Sequence, residues 1–65
     1  MNWNIKVRIS DDKVMAGGYC DFTPELGTVY EQYEVSELEK EQNNLARCDE
    51  FDITRNPDGS FTIRP

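Results

Sequence analysis

The chain has 65 residues, too few for two domains, and only 37% of them are hydrophobic, so we predict a single small domain spanning residues 1–65. Seven basic and 13 acidic side chains give a net charge of −6, which argues against direct nucleic-acid binding because the phosphates would be repelled. No run of residues approaches the ~20 apolar positions of a membrane span, and residues 1–10 lack the apolar stretch of a signal peptide, so we expect a cytoplasmic protein.

The first part of the chain predicts two strands. Residues 2–10 alternate between apolar side chains, beginning with Trp3 and Ile5, and polar ones, which is typical of a half-buried strand. A turn at residues 10–12 leads into a second predicted strand over residues 13–22. Within it the pair Gly17-Gly18 indicates a bulge or a close backbone approach.

The middle of the chain predicts a short helical turn, a third strand and a helix. Proline suits the first position of the turn at residues 23–25, and the β-branched and aromatic residues of 28–35 favour a strand. Ser36 followed by Glu39 is a capping box, so we predict a helix that runs to about Arg47 or Cys48. Its thin apolar stripe, made mainly by Leu38 and Leu45, would lie on the sheet.

Residues 50–64 predict a hairpin. Apolar residues alternate on both arms, and residues 56–59, with the sequence NPDG, fit a type I turn whose glycine takes the left-handed position. The fold class is therefore α+β: a small antiparallel sheet of four or five strands with one helix packed on one face, in the order ββ(β)αββ. A β-grasp-like arrangement is a special case of that order.

Catalytic residue types are scarce in this chain. It has no histidine, which excludes an imidazole base or metal ligand, and Cys20 and Cys48 lie 28 positions apart, far from a Cys-x-x-Cys spacing. In a reducing cytosol the two thiols would serve as small, partly buried apolar residues, and the alternative is a disulfide between them. We therefore predict a protein that is not an enzyme and that uses no cofactor and no metal.

The charges are unevenly distributed. Residues 14–54 hold two basic side chains, Lys40 and Arg47, against ten acidic ones, a net charge of −8. One interpretation is a solvated surface that only keeps the protein soluble. The other is a negative surface that meets a positive one on a partner.

The second interpretation predicts one contiguous negative face that binds a partner. Glutamates four apart on a helix are separated by a rise of about 6 Å, close to two nucleotide steps of about 3.4 Å each, so they can stand in for phosphates. Interleaved tyrosines would anchor such an interface. The predicted set is Glu31, Glu34, Glu37, Glu41, Asp49, Glu50, Tyr30 and Tyr33.

Very small size, strong acidity, an α+β layout and the lack of catalytic residues together give a chain that resembles phage-encoded anti-CRISPR proteins, which block type I surveillance complexes. The resemblance covers the whole chain in character but includes no shared motif, so it carries no residue over. It implies a DNA-mimic inhibitor in the host cytosol. The acidic surface would occupy the lysine- and arginine-lined site where a Cascade-type complex recognises target DNA.

The alternative is a small phage or bacterial structural or regulatory interaction protein. Such a protein would bind through an aromatic patch around Tyr19, Tyr30 and Tyr33, with the charge serving solubility alone, and its binding would be nearly indifferent to salt. Homodimerisation is one further way for so small a chain to add buried surface.

Overall fold

Five strands, one short α-helix and two 3-10 turns make up the described part of the chain, which is residues 2–65 with Glu25 described through its backbone only. Met1, which the predicted domain includes, lies outside the described residues. The structure is a computed structural model. Its elements are β1 (Trp3–Arg8), β2 (Lys13–Gly18), a first 3-10 turn (Thr23–Glu25), β3 (Tyr30–Val35), α1 (Glu37–Gln42), a second 3-10 turn (Leu45–Arg47), β4 (Asp52–Arg55) and β5 (Phe61–Arg64).

The strands form one sheet in the order β3-β1-β2-β4-β5, and each described pairing is antiparallel. The α+β class and the antiparallel sheet of the prediction are confirmed. β1 has β2 on one side and β3 on the other, so it has no free side to pair with β5. The β-grasp-like arrangement, in which the first and last strands pair, is therefore not formed.

One face of the sheet, called here the core face, carries the buried side chains, and the opposite face is called the outer face. The alternation predicted for β1 is confirmed, since its odd-numbered residues are buried and its even-numbered ones are only half-buried. The buried core consists of Trp3, Ile5, Val7, Val14, Val35, Leu45 and Ile53.

Of the two roles predicted for the glycine pair in β2, Gly17 has that of a close backbone approach, and the bulge lies outside the pair. Gly17 lies directly beneath the Trp3 indole, and a Cβ at this position would collide with the ring. Lys6 pairs with Ala16, and the next residue of β1 pairs with Val14, so Met15 is the extra residue of a β-bulge. The strand itself ends at Gly18, earlier than the predicted residue 22.

The prediction of one helix continuing to Arg47 or Cys48 is wrong. Ser36 does cap α1, because its Oγ accepts a hydrogen bond from the Glu39 N–H at 3.1 Å. The helix nevertheless ends at Gln42, and Asn44 adopts a left-handed conformation with φ 52°. Asparagine tolerates this conformation better than most residues.

The left-handed residue separates the two leucines that were predicted to share one apolar stripe. Leu45 points into the core and is completely buried, whereas the side chain of Leu38 is 63% exposed. No residue of α1 is buried. The core face is therefore covered by the second 3-10 turn, together with Cys48 and Phe51, which pack against the core.

The loop after β2 crosses the outer face near β1 and β3. The Asn4 side-chain amide donates to the Cys20 carbonyl at 3.0 Å, and the Phe22 N–H donates to the Gln32 side-chain oxygen at 2.6 Å. The first 3-10 turn follows and begins at Thr23, so its proline takes the second position and not the predicted first.

The β4–β5 hairpin turn is confirmed. The Gly59 N–H donates to the Asn56 carbonyl at 3.0 Å, and Gly59 has a φ of 88°. Both thiols are free: Cys48 is half-buried as predicted, but Cys20 is exposed, contrary to the prediction. Within residues 2–65 the only α-helix has six residues, so no helix there is long enough to cross a membrane.

Candidate interaction surface

The eight residues predicted to contact a partner lie in three parts of the fold. Four are in β3, two are in α1, and two follow the second 3-10 turn. In that order they are Tyr30, Glu31, Tyr33 and Glu34; Glu37 and Glu41; and Asp49 and Glu50. The first two parts are adjacent along the chain, and only the cap residue Ser36 and one valine separate them.

Within β3 the predicted residues point to both faces of the sheet. Tyr33 pairs with the buried Ile5, so it and Glu31, two positions earlier, lie on the core face. Tyr30 and Glu34 lie on the outer face, because side chains alternate along a strand. The two glutamates therefore flank β3 from opposite sides, and the prediction that these carboxylates form one contiguous face is wrong.

β3 is an edge strand, and one of its long sides has no partner strand. The Ile9 N–H donates to the Val29 carbonyl at 2.9 Å, which places the odd-numbered residues of this ladder in hydrogen-bonded pairs with β1. The backbone groups of Tyr30, Gln32 and Glu34 consequently point away from the sheet. Within residues 2–65 the outward N–H and carbonyl groups of Gln32 and Glu34 form no backbone hydrogen bond with another segment.

An open depression of about 360 Å³ lies along this edge. The residues of β3 that line it come from both faces of the strand, and the loop that precedes β3 supplies the rest. The Gly27 N–H donates to the Tyr30 carbonyl at 3.3 Å and so closes the amino-terminal end of the edge. The lining residues are Leu26, Gly27, Tyr30, Glu31, Gln32 and Tyr33.

Glu31 is held in place by the tyrosine two positions after it. The Tyr33 hydroxyl donates to the Glu31 carboxylate at 2.5 Å, and this hydrogen bond raises the pKa of Tyr33. The Arg55 guanidinium stacks on the Tyr33 ring, and its carbon lies 3.8 Å from the ring centroid. The negative charge at the core-face side of the edge therefore has a fixed position.

Glu37 takes part in a cluster that joins α1 to the end of the sheet. The Tyr19 hydroxyl donates to its carboxylate, and the Lys40 ammonium lies 3.5 Å from its other oxygen. The hydrogen bond from Tyr19, with the positive charge of Lys40, lowers the pKa of Glu37. Lys40 also lies 5.3 Å above the Trp3 ring. Glu37 is therefore already engaged within the protein.

Glu50 is also paired, whereas three other members of the predicted set are not. The Arg47 Nε donates to the Glu50 carboxylate at 2.7 Å. Glu34, Glu41 and Asp49 are exposed and form no ion pair with the described residues. Their charge is thus not neutralised locally.

Four residues of this surface were not in the predicted set. Glu39 is exposed and unpaired like Glu41, but its sequence role was that of a cap partner only. Gln32, Leu26 and Gly27 line the depression. The sequence signal for Gln32 was its position in a strand between two predicted binding residues, and nothing in the residues of the loop indicated that it lies beside β3.

The three tyrosines of the aromatic alternative do not form one patch. The Tyr19 side chain is 53% exposed and lies beside α1. Tyr30 is on the outer face, where the Lys6 ammonium lies 4.7 Å from its ring centroid, and Tyr33 is on the core face. Of the three, only Tyr30 and Tyr33 line the depression at the edge of β3.

The chemistry available in the described residues is limited. Burial, and next the negative charge of Asp49, raise the pKa of the Cys48 thiol, which keeps it protonated and weakly nucleophilic. Among the described residues no three side chains of histidine, cysteine, aspartate or glutamate are placed to hold a metal ion together.

Comparison of the chain with protein-family models, with curated proteins and with solved structures found no match.

Proposed function

We propose that this protein is an acidic inhibitor that binds the basic, nucleic-acid-binding site of a partner protein and excludes nucleic acid from it. The observation that carries the proposal is the charge of residues 31–41, called here the acidic segment. It contains five glutamates and one basic residue, Lys40, a net charge of −4. All five glutamates are exposed.

Ion pairs neutralise other parts of the surface and leave this segment largely uncompensated. Three of the four described pairs are Arg8–Asp11, Lys13–Asp52 and Arg47–Glu50, all outside the acidic segment. The fourth, Lys40–Glu37, uses its only basic residue. The remaining glutamates project from both sides of β3 and from α1, so a basic concave site on a partner could surround them.

Such a surface acts by steering and by competition. A concentrated negative field speeds the association of a positively charged site, and the effect weakens as salt screens it over a Debye length of about 10 Å at 0.1 M. Once bound, the carboxylates occupy the lysine and arginine side chains that would hold phosphates. The DNA-recognition site of a type I CRISPR surveillance complex is the first partner to test, because the resemblance in character implies it.

The test uses two variants with the same change in charge. Glu39→Gln/Glu41→Gln removes two unpaired carboxylates from the acidic segment. Asp12→Asn/Asp58→Asn removes two carboxylates from the hairpin turns at the opposite end of the sheet. Asp12 has a positive φ of 58°, which asparagine also tolerates. The readout is the concentration of protein that displaces labelled target DNA from a purified type I complex.

At low salt, Glu39→Gln/Glu41→Gln should displace the DNA only at a several-fold higher protein concentration. Asp12→Asn/Asp58→Asn should displace it at the same concentration as the wild type. Equal behaviour of the two variants would contradict a role for the acidic segment. Failure of the wild type to displace DNA would contradict the proposed partner class.

A second candidate function is a structural or regulatory interaction protein that binds through aromatic side chains. The depression that brings Tyr30 and Tyr33 to one edge favours it. Binding of this kind would persist at high salt and would be weakened by Tyr30→Ala rather than by the loss of Glu39 and Glu41.

A further inference from the structure

We propose that the free edge of β3 is the docking site for a basic, extended segment of the partner protein, which adds to the sheet as a sixth strand. This inference rests on the proposed function, since it names the surface through which that function would operate. It depends on three features of the same edge: its unpaired backbone groups, the depression beside it and the charges that flank it.

The backbone of β3 offers the hydrogen bonds that such a segment needs. Gln32 and Glu34 each point an N–H and a carbonyl away from the sheet, and the N–H of Tyr30 points the same way. Unpaired groups of this kind are a template for strand addition, in which main-chain hydrogen bonds hold an extended peptide. The Gly27 N–H already donates to the Tyr30 carbonyl, so the docked strand would lie between Tyr30 and Glu34.

The depression supplies a place for a side chain of the incoming strand. It is lined by Gln32 and is bordered by Tyr30 and Tyr33 from the two faces of β3. Leu26 contributes an exposed apolar side chain to its rim. In strand addition, such pockets for alternate side chains provide specificity while the backbone provides affinity.

The two glutamates of β3 determine the charge and spacing of the occupant. Glu31 lies on the core face and Glu34 on the outer face, three positions apart. Side chains opposite each other on paired strands share a face. The best partner strand therefore carries two basic residues at positions i and i+3, which point to opposite faces and meet one glutamate each.

The same charges argue against a second copy of this chain as the occupant. A second copy would bring an identical pair of glutamates and a further net charge of −6 to the edge. Charged residues placed at an edge strand are a common protection against self-association. A basic segment is attracted by the charges that repel another copy.

The probe for the test is a short peptide of valine and threonine with two lysines at positions i and i+3. A control peptide has the same composition with lysines at i and i+2, which places both on one face. Titration into ¹⁵N-labelled protein, followed by NMR, should shift the amide signals of Tyr30, Gln32 and Glu34, and the first peptide should bind more tightly. Amide hydrogen exchange at these three residues should be fast in the free protein and slower with the peptide.

Two substitutions at one position separate the backbone from the charge. Glu34→Gln removes a charge and should weaken the peptide about two- to fivefold, the range of an exposed ion pair. Glu34→Pro also removes an outward N–H and blocks the edge. It leaves the hydrogen bonds between β1 and β3 intact, because the Glu34 N–H points away from β1. It should weaken the peptide about tenfold, since one main-chain hydrogen bond and the charge are lost and the proline ring obstructs the incoming strand.

Equal binding of the two peptides, signal changes confined to α1, or peptide-induced dimerisation would overturn the docking site. If Glu34→Pro does not fold, the hydrogen-exchange result on the wild type decides alone: unchanged exchange at Gln32 and Glu34 overturns it. Weakened DNA displacement by Glu39→Gln/Glu41→Gln together with unaffected Glu34→Pro would reject the docking site and leave the proposed function standing.

Discussion

Arg55 of β4 stacks on the ring of Tyr33 of β3, with 3.8 Å between the guanidinium carbon and the ring centroid. Two strands, β1 and β2, lie between β3 and β4 in the sheet. The contact therefore requires the sheet to curl until residues from distant strands meet above the core face. It also fixes the Tyr33 hydroxyl that holds Glu31, so the geometry of the candidate docking edge depends on a residue of the hairpin.

Removal of this contact should destabilise the protein. Arg55→Ala should lower the free energy of unfolding by about 1 kcal/mol, in the range of partly buried cation–π contacts. Arg64→Ala, at an exposed position of β5, is the matched control and should change it by less than about 0.5 kcal/mol. Urea unfolding measures both, and equal losses would contradict the role given to the stack.

The contact between Trp3 and Gly17 leads to a second prediction. Gly17→Ala places a methyl group where the indole lies, and the forced repacking should cost about 1–3 kcal/mol of stability. Gly27→Ala is the control, because nothing lies within 4 Å of its Cβ position. Trp3 fluorescence should change in the first variant alone, and a neutral Gly17→Ala would show that the ring can move aside at little cost.

The Arg8–Asp11 pair predicts part of the response to acid. Its guanidinium donates at 2.5 and 2.9 Å to the carboxylate, and the pKa of Asp11 is lowered from 3.8 to about 2, first by this hydrogen bond. Since the folded pKa lies below the unfolded one, the unfolded chain binds more protons in this window. Stability from this group is therefore present above pH 4 and is lost as the pH falls towards 2.

The measurement is an NMR titration of the Asp11 carboxyl group. Arg8→Gln should raise the pKa of Asp11 towards its ordinary value, and the melting temperature of this variant should fall less between pH 4 and pH 2 than that of the wild type. An Asp11 titration unaffected by Arg8→Gln would contradict the assignment.

The cluster at the end of the sheet predicts the local stability of α1. Tyr19→Phe removes the hydroxyl that donates to Glu37 and accepts from Lys40 at 3.2 Å. Amide exchange in α1 should become faster, and the pKa of Glu37 should rise towards its ordinary value. Tyr30→Phe is the control, since Tyr30 has no hydroxyl hydrogen bond within the described residues. Equal exchange in both variants would show that the cluster does not hold the helix.

The elements that the sequence predicted well are those determined by neighbouring residues. The alternation of β1, the Ser36 cap and the turn at residues 56–59 each depend on contacts within a few positions of the chain. The error in the helix has a local cause as well. Asn44 could adopt the left-handed conformation that ends α1, but the apolar spacing of Leu38 and Leu45 favoured a continuous helix.

The candidate site was less predictable because it depends on long-range pairing. That β3 lies at the edge of the sheet follows from the strand order, which its own residues do not specify. The opposite directions of Glu31 and Glu34 do follow from their spacing of three within a strand. The engagement of Glu37 by Tyr19 joins residues 18 positions apart and had no signal in the sequence.

The most direct test of binding through the acidic segment is an NMR map of the partner-binding surface. ¹⁵N-labelled protein is titrated with the DNA-binding subunit of a type I surveillance complex, and amide signals are followed residue by residue. Binding through the acidic segment predicts signal changes within residues 31–41 that salt diminishes, and no changes at Asp12 and Asp58. Binding that perturbs the hairpin turns and leaves residues 31–41 unchanged would contradict it.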